Sequence, residues 1–475
     1  MWTQRDQIQA YQFLRRRLVS ALVTGDANHP TSPSRRLVLG TILGIAAAVL
    51  TAAVFGVIGL LNPSGSNDWQ QGGQVIVERE TGARYALGAG GQLVPVLNYA
   101  SARLYVGGNG DQTVTVSAST LRGAPRGQMV GIPGAPDSLP ATDSLSDNTF
   151  TSCTRTPGDR PASSPPVATV ILGPTTPGGR ALPGNQALLV VAPSGDDFLI
   201  TAGHRFRLAG QAPAAALGYE GVPTFRVAEN WLDTVPVGRD LGLVAVPGAG
   251  APGPSVGGRS TLVGQILTDG SYYLVQRDGL APVSQTEALL VLGDSANSAA
   301  YPDGRQAALP LPVAALDTAP RSPSAEDTAG YPRAVPKLAP ADQSTVLCSV
   351  GNGDGDARIM TSAGVPLPAG GRSISVDQRT DDRVADEVFV PPGTGALLRQ
   401  QVGGGQPGPE YLVTDTGMKY PVPTAADVTA LGYGNVPATP VAGTVLDLLP
   451  QGPSLDIAAA RQLAPGGDVP GGGAR

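Results

Sequence analysis

Few residues in this 475-residue chain have the chemistry of a metal site or a catalytic site. It contains two cysteines, Cys153 and Cys348, and two histidines, His29 and His204. A structural zinc site needs thiolates or imidazoles at short spacing, such as Cys-x-x-Cys, and these four residues are scattered. A hydrolase triad needs a histidine base that orients and deprotonates its nucleophile. The sequence therefore predicts no metal site, no catalytic residues and no bound cofactor.

A P-loop nucleotide site also lacks its residues. That loop ends in Gly-Lys-Ser/Thr, because the lysine must reach the phosphates that the glycine-rich backbone wraps. The chain has only two lysines, and Lys337 follows a proline whereas Lys419 follows a methionine. The glycine- and aspartate-rich run at 351–356 lacks the spacing and the closing glutamate of a calcium loop, so we interpret it as a turn.

One uninterrupted apolar run, at 37–61, dominates the organisation of the chain. It contains no charged residue. About 25 helical residues at 1.5 Å per residue cross a hydrocarbon core of about 30 Å with some tilt. The run is too long for the core of a cleaved signal peptide and starts too far from Met1. The sequence predicts a single membrane anchor followed by a large extramembrane region.

The distribution of charge predicts which side of the membrane that region occupies. Six arginines and two aspartates precede the run, a local balance of +4, and no basic residue follows it until Arg79. The positive-inside rule then places the N-terminus in the cytoplasm and the remainder outside. With a total charge of −6, that remainder carries −10, which disfavours nucleic acid as a partner.

Both cysteines lie beyond the predicted span, in a compartment that permits disulfides. An even count there favours a Cys153–Cys348 bond, and two unrelated buried thiols are the alternative. The proline-rich sequence around both cysteines predicts little regular structure near them.

The segment before the span has the pattern of an amphipathic helix. Thr3 and Asp6 resemble a capping box, apolar residues recur at helical spacing, and Gly25 predicts the C-terminal stop. We expect this helix to lie on cytoplasmic headgroups or on a partner. The residues singled out on it are Tyr11, Phe13, Arg16 and Arg17.

Internal repetition is the second strong signal. The stretch at 198–201 matches 411–414, and one residue of slack later the match continues at a constant offset of 214 residues, which pairs Tyr219 with Tyr433 and Pro236 with Pro450. Shorter copies of the opening occur at 75–77 and 273–275, which makes four copies, two full and two partial. Each copy has the pattern of a hairpin, a short helix ended by glycine, and a second helical turn. With 64 glycines and 45 prolines, long helices outside the membrane are not expected.

Several strings identify a family resemblance over nearly the whole chain. They are the N-terminal Tyr11, Phe13, Arg16 and Arg17 pattern, then the span, then Gly-Ala-Arg-Tyr at 82–85, Leu-Val-Pro-Val-Leu-Asn-Tyr-Ala-Ser-Ala-Arg-Leu at 93–104 and Gly-Ile-Pro-Gly-Ala-Pro at 131–136. The set resembles EccB, the B subunit of the type VII (ESX) secretion membrane complex. The resemblance implies four repeats around a central domain and paired cysteines. Members are sometimes described as ATPases, which the missing Walker A motif does not support here.

The predicted fold class is α+β, with one N-terminal transmembrane helix and an elongated extracytoplasmic region of four small hairpin/helix repeats around a discontinuous central domain. The predicted bounds, in order, are a cytoplasmic helix and loop at 1–36, the span at 37–61, the first repeat at 62–124, the first segment of the central domain at 125–180, the second repeat at 181–250, the third repeat at 251–335, the second segment of the central domain at 336–390, the fourth repeat at 391–460 and a flexible tail at 461–475.

The predicted function is a structural subunit of the type VII secretion core in the inner membrane of an actinobacterium-like cell envelope. Its expected partners are the EccC, EccD and EccE type membrane subunits and other copies of itself. Gly40, Gly44 and Ala48 form a small-residue stripe that would let another helix pack closely. The alternatives are a membrane-tethered ATPase and a cell-wall-binding protein. The latter would need exposed aromatic platforms, for which Tyr219 and Tyr433 are the candidates, and a buried core position is the competing interpretation of both.

Overall fold

The two longest helices lie in the first sixty residues of the chain. A computed structural model describes residues 3–27, 33–61, 67–107, 113–145, 150–158, 163–173, 179–322, 330–340, 344–351, 355, 357–377, 381–402 and 407–465. The loop with His29 and the tail beyond 465 lie outside these residues. Helix α1 spans Gln4–Thr24 and α2 spans Pro33–Leu61. Within α2, the stretch Val38–Val57 is long and apolar enough to cross a membrane, the only such stretch in the described part of the chain.

Both ends of α1 have the predicted capping interactions. The Thr3 N–H donates to the Asp6 carboxylate over 3.0 Å, which satisfies a backbone group that a helix start leaves unpaired. Gly25 has φ of 70° and its N–H bonds to the Ala21 carbonyl, a left-handed cap that glycine adopts without steric cost.

The chain divides into two compact units. One comprises 1–71, 78–82 and 114–124, and the other comprises 72–77, 83–113 and 125–475. The second unit holds a central sheet, most of the first small sheet and all of the second, third and fourth, numbered in chain order. Its helices are short, eight residues at most among those described, as the frequent glycines and prolines predict.

In the first small sheet, the first three strands form an antiparallel meander. Its elements, with the strand and helices that follow, are β1 (Val75–Glu78), β2 (Arg84–Leu87), β3 (Leu93–Pro95), α3 (Tyr99–Val106), β4 (Thr113–Val116) and α4 (Ala118–Leu121). The register pairs Ile76 with Tyr85 and Tyr85 with Pro95. Asn98 caps α3 by accepting from the Ser101 N–H over 2.9 Å.

The central sheet and the second small sheet follow. The elements are β5 (Phe150–Arg155), β6 (Val167–Leu172), β7 (Arg180–Ala181), β8 (Gln186–Val191), β9 (Asp197–Thr201), β10 (His204–Leu208), α5 (Gln211–Ala216), β11 (Phe225–Arg226) and α6 (Glu229–Leu232). The second small sheet has the order β10-β9-β8-β11, with β11 parallel to β8.

The third small sheet repeats that order. Its elements are β12 (Ile266–Thr268), β13 (Tyr272–Val275), β14 (Leu280–Val283), α7 (Gln285–Leu292), β15 (Leu309–Pro310) and α8 (Val313–Leu316). The strand order is β14-β13-β12-β15, and β15 is parallel to β12.

The remaining elements complete the central sheet and build the fourth small sheet. They are β16 (Lys337–Leu338), β17 (Val346–Val350), β18 (Arg358–Ser362), β19 (Ile374–Ser375), β20 (Glu387–Phe389), β21 (Ala396–Gln401), β22 (Pro407–Val413), β23 (Lys419–Val422), α9 (Ala425–Ala430), β24 (Thr439–Val441), α10 (Gly443–Leu446) and α11 (Ile457–Ala460). The central order is β19-β20-β6-β5-β17-β18-β7 and the fourth is β23-β22-β21-β24.

The prediction of little regular structure near the cysteines is wrong. Cys153 and Cys348 lie on β5 and β17, the innermost strands of the central sheet, and both strands are almost wholly buried. Proline is present in the flanking connections, but the strands themselves, Phe-Thr-Ser-Cys-Thr-Arg and Val-Leu-Cys-Ser-Val, are rich in β-branched and small residues that suit a buried sheet.

One large core joins the central sheet to the second and fourth small sheets. It includes Leu188 of β8, Leu347 of β17 and Leu398 of β21, with Trp231 fully buried among them. A second core joins α3 to the fourth small sheet through residues such as Leu104 and Tyr433. A third joins the second small sheet to α7. Burial of apolar surface is thus shared between neighbouring sheets.

Candidate functional site

The small-residue stripe lies on the candidate membrane helix and is fully open. Gly40, Gly44 and Ala48 are exposed residues of α2, and a methyl group added at either glycine would meet no atom within 4 Å. Successive positions four apart lie on one face of a helix. This face therefore offers a flat strip on which a second helix could approach the backbone closely.

The candidate residues of α1 are also exposed. The exposed fractions of Tyr11 and Phe13 are 71% and 61%. The Arg17 guanidinium lies 5.5 Å from the Phe13 ring centroid. Arg17 also donates from Nε to the Ala27 carbonyl over 3.4 Å, beyond the helix end. Most of the apolar side chains of α1 are likewise exposed, including Leu14, Leu18 and Leu22. These side chains give the helix an apolar surface that is exposed within the described part of the chain.

The two cysteines are bonded to each other. Cys153 and Cys348 are direct cross-strand partners of β5 and β17, with Cα atoms 4.0 Å apart and 195 residues of sequence between them. Both side chains are almost fully buried, in a cluster with Ile171 and Phe389. The bond links the two stretches of chain, 150–181 and 346–389, that make up the central sheet.

Tyr219 and Tyr433 are core residues. Their exposed fractions are 6% and 2%. The Tyr219 hydroxyl donates to the Pro336 carbonyl over 2.6 Å, and the Tyr433 hydroxyl donates to the Pro140 carbonyl over 2.7 Å. Burial raises the pKa of both phenols above the ordinary value. Neither ring is available as a platform for a glycan, so the core interpretation holds.

His204 and Lys419, the residues considered above for catalysis and nucleotide binding, make contacts that stabilise the fold. His204 begins β10, and its Nδ1 lies 3.2 Å from the Ala202 carbonyl. The Lys419 ammonium donates to the Leu446 carbonyl over 2.6 Å and is almost fully buried, which lowers its pKa. Among the described residues, no group of histidine, cysteine, aspartate and glutamate side chains could hold a metal ion.

A charged cluster that no sequence motif indicates lies at the second and fourth small sheets. Arg205 binds Asp233 over 2.9 Å, and Lys419 lies 3.8 Å from Asp447, which Arg383 also binds over 2.7 Å. Hydrogen bonding to Asp381 raises the pKa of Arg383 and lowers that of Asp381. The 214-residue offset contained some of this signal, since it aligns Arg205 with Lys419 and Asp233 with Asp447. Nothing in the local sequence indicated Arg383.

The same backbone contacts recur in the two full copies. The Arg205 N–H donates to the Pro236 carbonyl over 2.8 Å, and the Lys419 N–H donates to the Pro450 carbonyl over 2.9 Å. A methyl group on Gly238 or Gly452 would collide with the ring of Phe206 or Tyr420, which occupy matched positions. These features serve packing rather than chemistry.

Comparison with known proteins finds similarity to the B subunits of several ESX secretion systems. Residues 1–465 match the family described as type VII secretion system ESX-1, transport TM domain B. The chain is 30% identical over 487 residues to the ESX-3 secretion system ATPase EccB3 of Mycolicibacterium smegmatis, covering 95% of this chain and 89% of that protein. It is 29% identical over 484 residues to the ESX-5 secretion system ATPase EccB5 of Mycobacterium tuberculosis, covering 96% and 92%.

Solved structures are similar over most of the chain. A chain of an intact ESX-5 inner membrane complex has a TM-score of 0.67 at 25% identity, covering 98% of this chain and 96% of its own. An EccB3 dimer from the ESX-3 core complex has a TM-score of 0.67 at 27% identity, covering 81% of this chain and 99% of its own.

Proposed function

The chain belongs to the EccB family of type VII secretion, and on that premise we propose that it is a structural membrane subunit of an ESX-type secretion core complex. The observation that carries this is the match along residues 1–465, supported by the similar chain of the ESX-5 inner membrane complex. Its partners are then the other membrane subunits of the core, of the EccC, EccD and EccE type, and further copies of this chain, as in the EccB3 dimer.

The proposed topology has the N-terminus in the cytoplasm and the sheets outside the inner membrane. The arginines before α2, including Arg15, Arg16 and Arg17, support this orientation through the positive-inside rule. The Cys153–Cys348 disulfide supports it independently, because disulfides persist in oxidising compartments and are rare in the cytosol.

We also propose that the four small sheets are four copies of one repeat, set around a central domain built from two separate stretches. Support comes from the shared antiparallel meander and, in the second to fourth small sheets, from a final strand parallel to the first. The predicted bounds need adjustment at several places under this proposal. Ala181, predicted to begin the second repeat, pairs with Met360 in the central sheet. Ala464, predicted to lie in the flexible tail, is 4% exposed, and its N–H donates to the Met129 carbonyl over 2.9 Å. The residues at 337–338, predicted to belong to the second segment of the central domain, pair with β8 of the second small sheet.

The exposed stripe on α2 provides the test of the structural role. Gly44→Leu would place a branched side chain in the centre of the stripe and keep another helix away. We expect co-purification of the other membrane subunits from detergent extracts to fall about fivefold or more. Ala46→Leu, about 200° around the helix from Gly44, is the matched control and should have little effect. Unchanged recovery with Gly44→Leu would contradict a packing role for this face.

We propose that the subunit does not hydrolyse ATP, although its relatives bear the name ATPase. The chain contains no Gly-Lys pair, and its Lys419 ammonium is bound to the Leu446 carbonyl inside the protein. Purified full-length protein should release no more phosphate from ATP than a buffer control. Turnover that persists through repeated purification would refute this, and turnover lost in Lys419→Met would identify the lysine responsible.

A further inference from the structure

The third small sheet contains a small cavity whose lining includes one arginine, Arg321. Its volume is about 190 Å³, below the usual range for a drug-sized ligand and suited to one side chain. Among the residues that line it, Leu280 has 2% of its surface exposed and Tyr273 is aromatic. The lining residues are Tyr273, Leu280, Pro282, Leu316, Ala319 and Arg321.

The backbone fixes these residues in place. Tyr273 pairs with Pro282 in the β13–β14 register, and the Leu280 N–H donates to the Pro320 carbonyl over 2.7 Å. Leu280 and Arg321 form a parallel bridge, so their backbones lie side by side. Four of the six lining residues are therefore held by backbone pairing of the sheet, and Leu316 and Ala319 come from α8 and the loop that follows it.

The first small sheet contains the same residue types in the same order. Tyr85, Leu93, Pro95, Leu121, Ala124 and Arg126 correspond to the six lining residues. Tyr85 pairs with Pro95, and Leu93 and Arg126 form the same parallel bridge. There, however, the Arg126 guanidinium lies over the Tyr85 ring, 4.7 Å from its centroid.

The two sheets differ in what the arginine does. Arg126 lies over its tyrosine, a cation–π contact that covers the ring. Arg321 lines the cavity beside Tyr273, and no described residue forms an ion pair or hydrogen bond with its guanidinium. A guanidinium in this position favours a carboxylate next to whatever apolar group enters the cavity.

From this geometry we propose that the cavity of the third small sheet binds one leucine-like side chain of a partner polypeptide, with an adjacent carboxylate paired to Arg321. Apolar side chains that fill a well-formed pocket act as anchors in protein–protein recognition. The charge of Arg321 fixes the orientation of the peptide and excludes basic partners. This assigns a binding site beyond the assembly role of the membrane helix.

The test uses N-acetyl-L-leucine as the probe, because it joins the apolar side chain directly to a carboxylate. Full-length protein in lipid nanodiscs is titrated with the probe, and saturation transfer to the leucine methyl groups is measured by NMR. Ala319→Leu should abolish the transfer by filling the cavity, and Arg321→Gln should weaken binding about tenfold. N-acetyl-L-leucinamide, which has no carboxylate, should bind the unmodified protein as weakly as N-acetyl-L-leucine binds Arg321→Gln.

Arg126→Gln is the matched control, since it removes the equivalent guanidinium of the first small sheet and should leave the titration unchanged. Equal transfer in Ala319→Leu and the unmodified protein would overturn the site. Equal binding of the acid and the amide would overturn the role of Arg321. Because Arg321 is exposed and its change removes no core contact, the Arg321→Gln result stands even if Ala319→Leu fails to fold.

Discussion

Removing the disulfide is expected to destabilise the central sheet by about 5 kcal/mol, the chain-entropy value for a loop of 195 residues. The suitable variant is Cys153→Ala with Cys348→Ala, because alanine leaves no polar group in the buried cluster around Phe389. The loop closed by the bond includes the second and third small sheets, so its loss frees a long section of the unfolded chain. Thermal unfolding of the full chain, followed by calorimetry, should show a clearly lower midpoint.

Two further measurements separate this effect from ordinary packing. A reductant should lower the midpoint of the unmodified protein and leave the double variant unchanged, since only the former has a bond to lose. Limited proteolysis should become faster between Asp143 and Pro166, the stretch that contains β5. The proposal of a bonded pair fails if unfolding the protein without reductant exposes two titratable thiols.

The sequence contained enough information to predict the elements whose signals are local. An uncharged apolar run defines α2, and Gly25 stops α1 with a left-handed cap. The 214-residue offset predicted equivalent backbone positions, and the structure has equivalent bonds there. The Gly238 N–H donates to the Arg205 carbonyl over 2.8 Å, and the Gly452 N–H donates to the Lys419 carbonyl over 2.9 Å.

The repeat pattern of the sequence gives the wrong register for the first copy. It aligns the residues at 75–77 with those at 198–201, which lie on β9, the second strand of the second small sheet. In the structure 75–77 lies on β1, the first strand, and the turn at Gly82 closes the first hairpin rather than the second. Both hairpins of a meander end in glycine-containing turns, so a local turn signal cannot tell them apart. Only pairing between distant strands defines strand order.

Long-range contacts explain the other omissions. Arg383 binds Asp447 across 64 residues of sequence. Lys337, which follows the third small sheet in sequence, pairs with Gln186, which precedes it. The strands β5 and β17 are surrounded by prolines in sequence, yet each is buried between two neighbouring strands. Tertiary burial overrides weak local propensity in such strands.

Trp231 is expected to make the largest single side-chain contribution to the core shared by the central sheet and the second and fourth small sheets. It is fully buried, and its Nε1–H donates to the Ser152 carbonyl of β5 over 3.0 Å. Trp231→Ala removes both the ring and the hydrogen bond, and should cost about 3–5 kcal/mol. Trp231→Phe keeps most of the apolar contact, so its cost isolates the lost hydrogen bond and the smaller ring, about 1–2 kcal/mol.

Val445 of α10, which lies 214 residues after Trp231 and so at the matched position of the repeat, provides the control. It shows how much a small apolar side chain at that position contributes to stability. It is 2% exposed and belongs to the same core. Val445→Ala deletes two methyl groups and should cost about 2 kcal/mol. All three variants are compared in the unfolding midpoint and free energy from denaturant titration, followed by far-UV circular dichroism. If Trp231→Ala costs no more than Val445→Ala, then Trp231 does not anchor the second small sheet to β5, and the shared core must depend on its aliphatic residues instead.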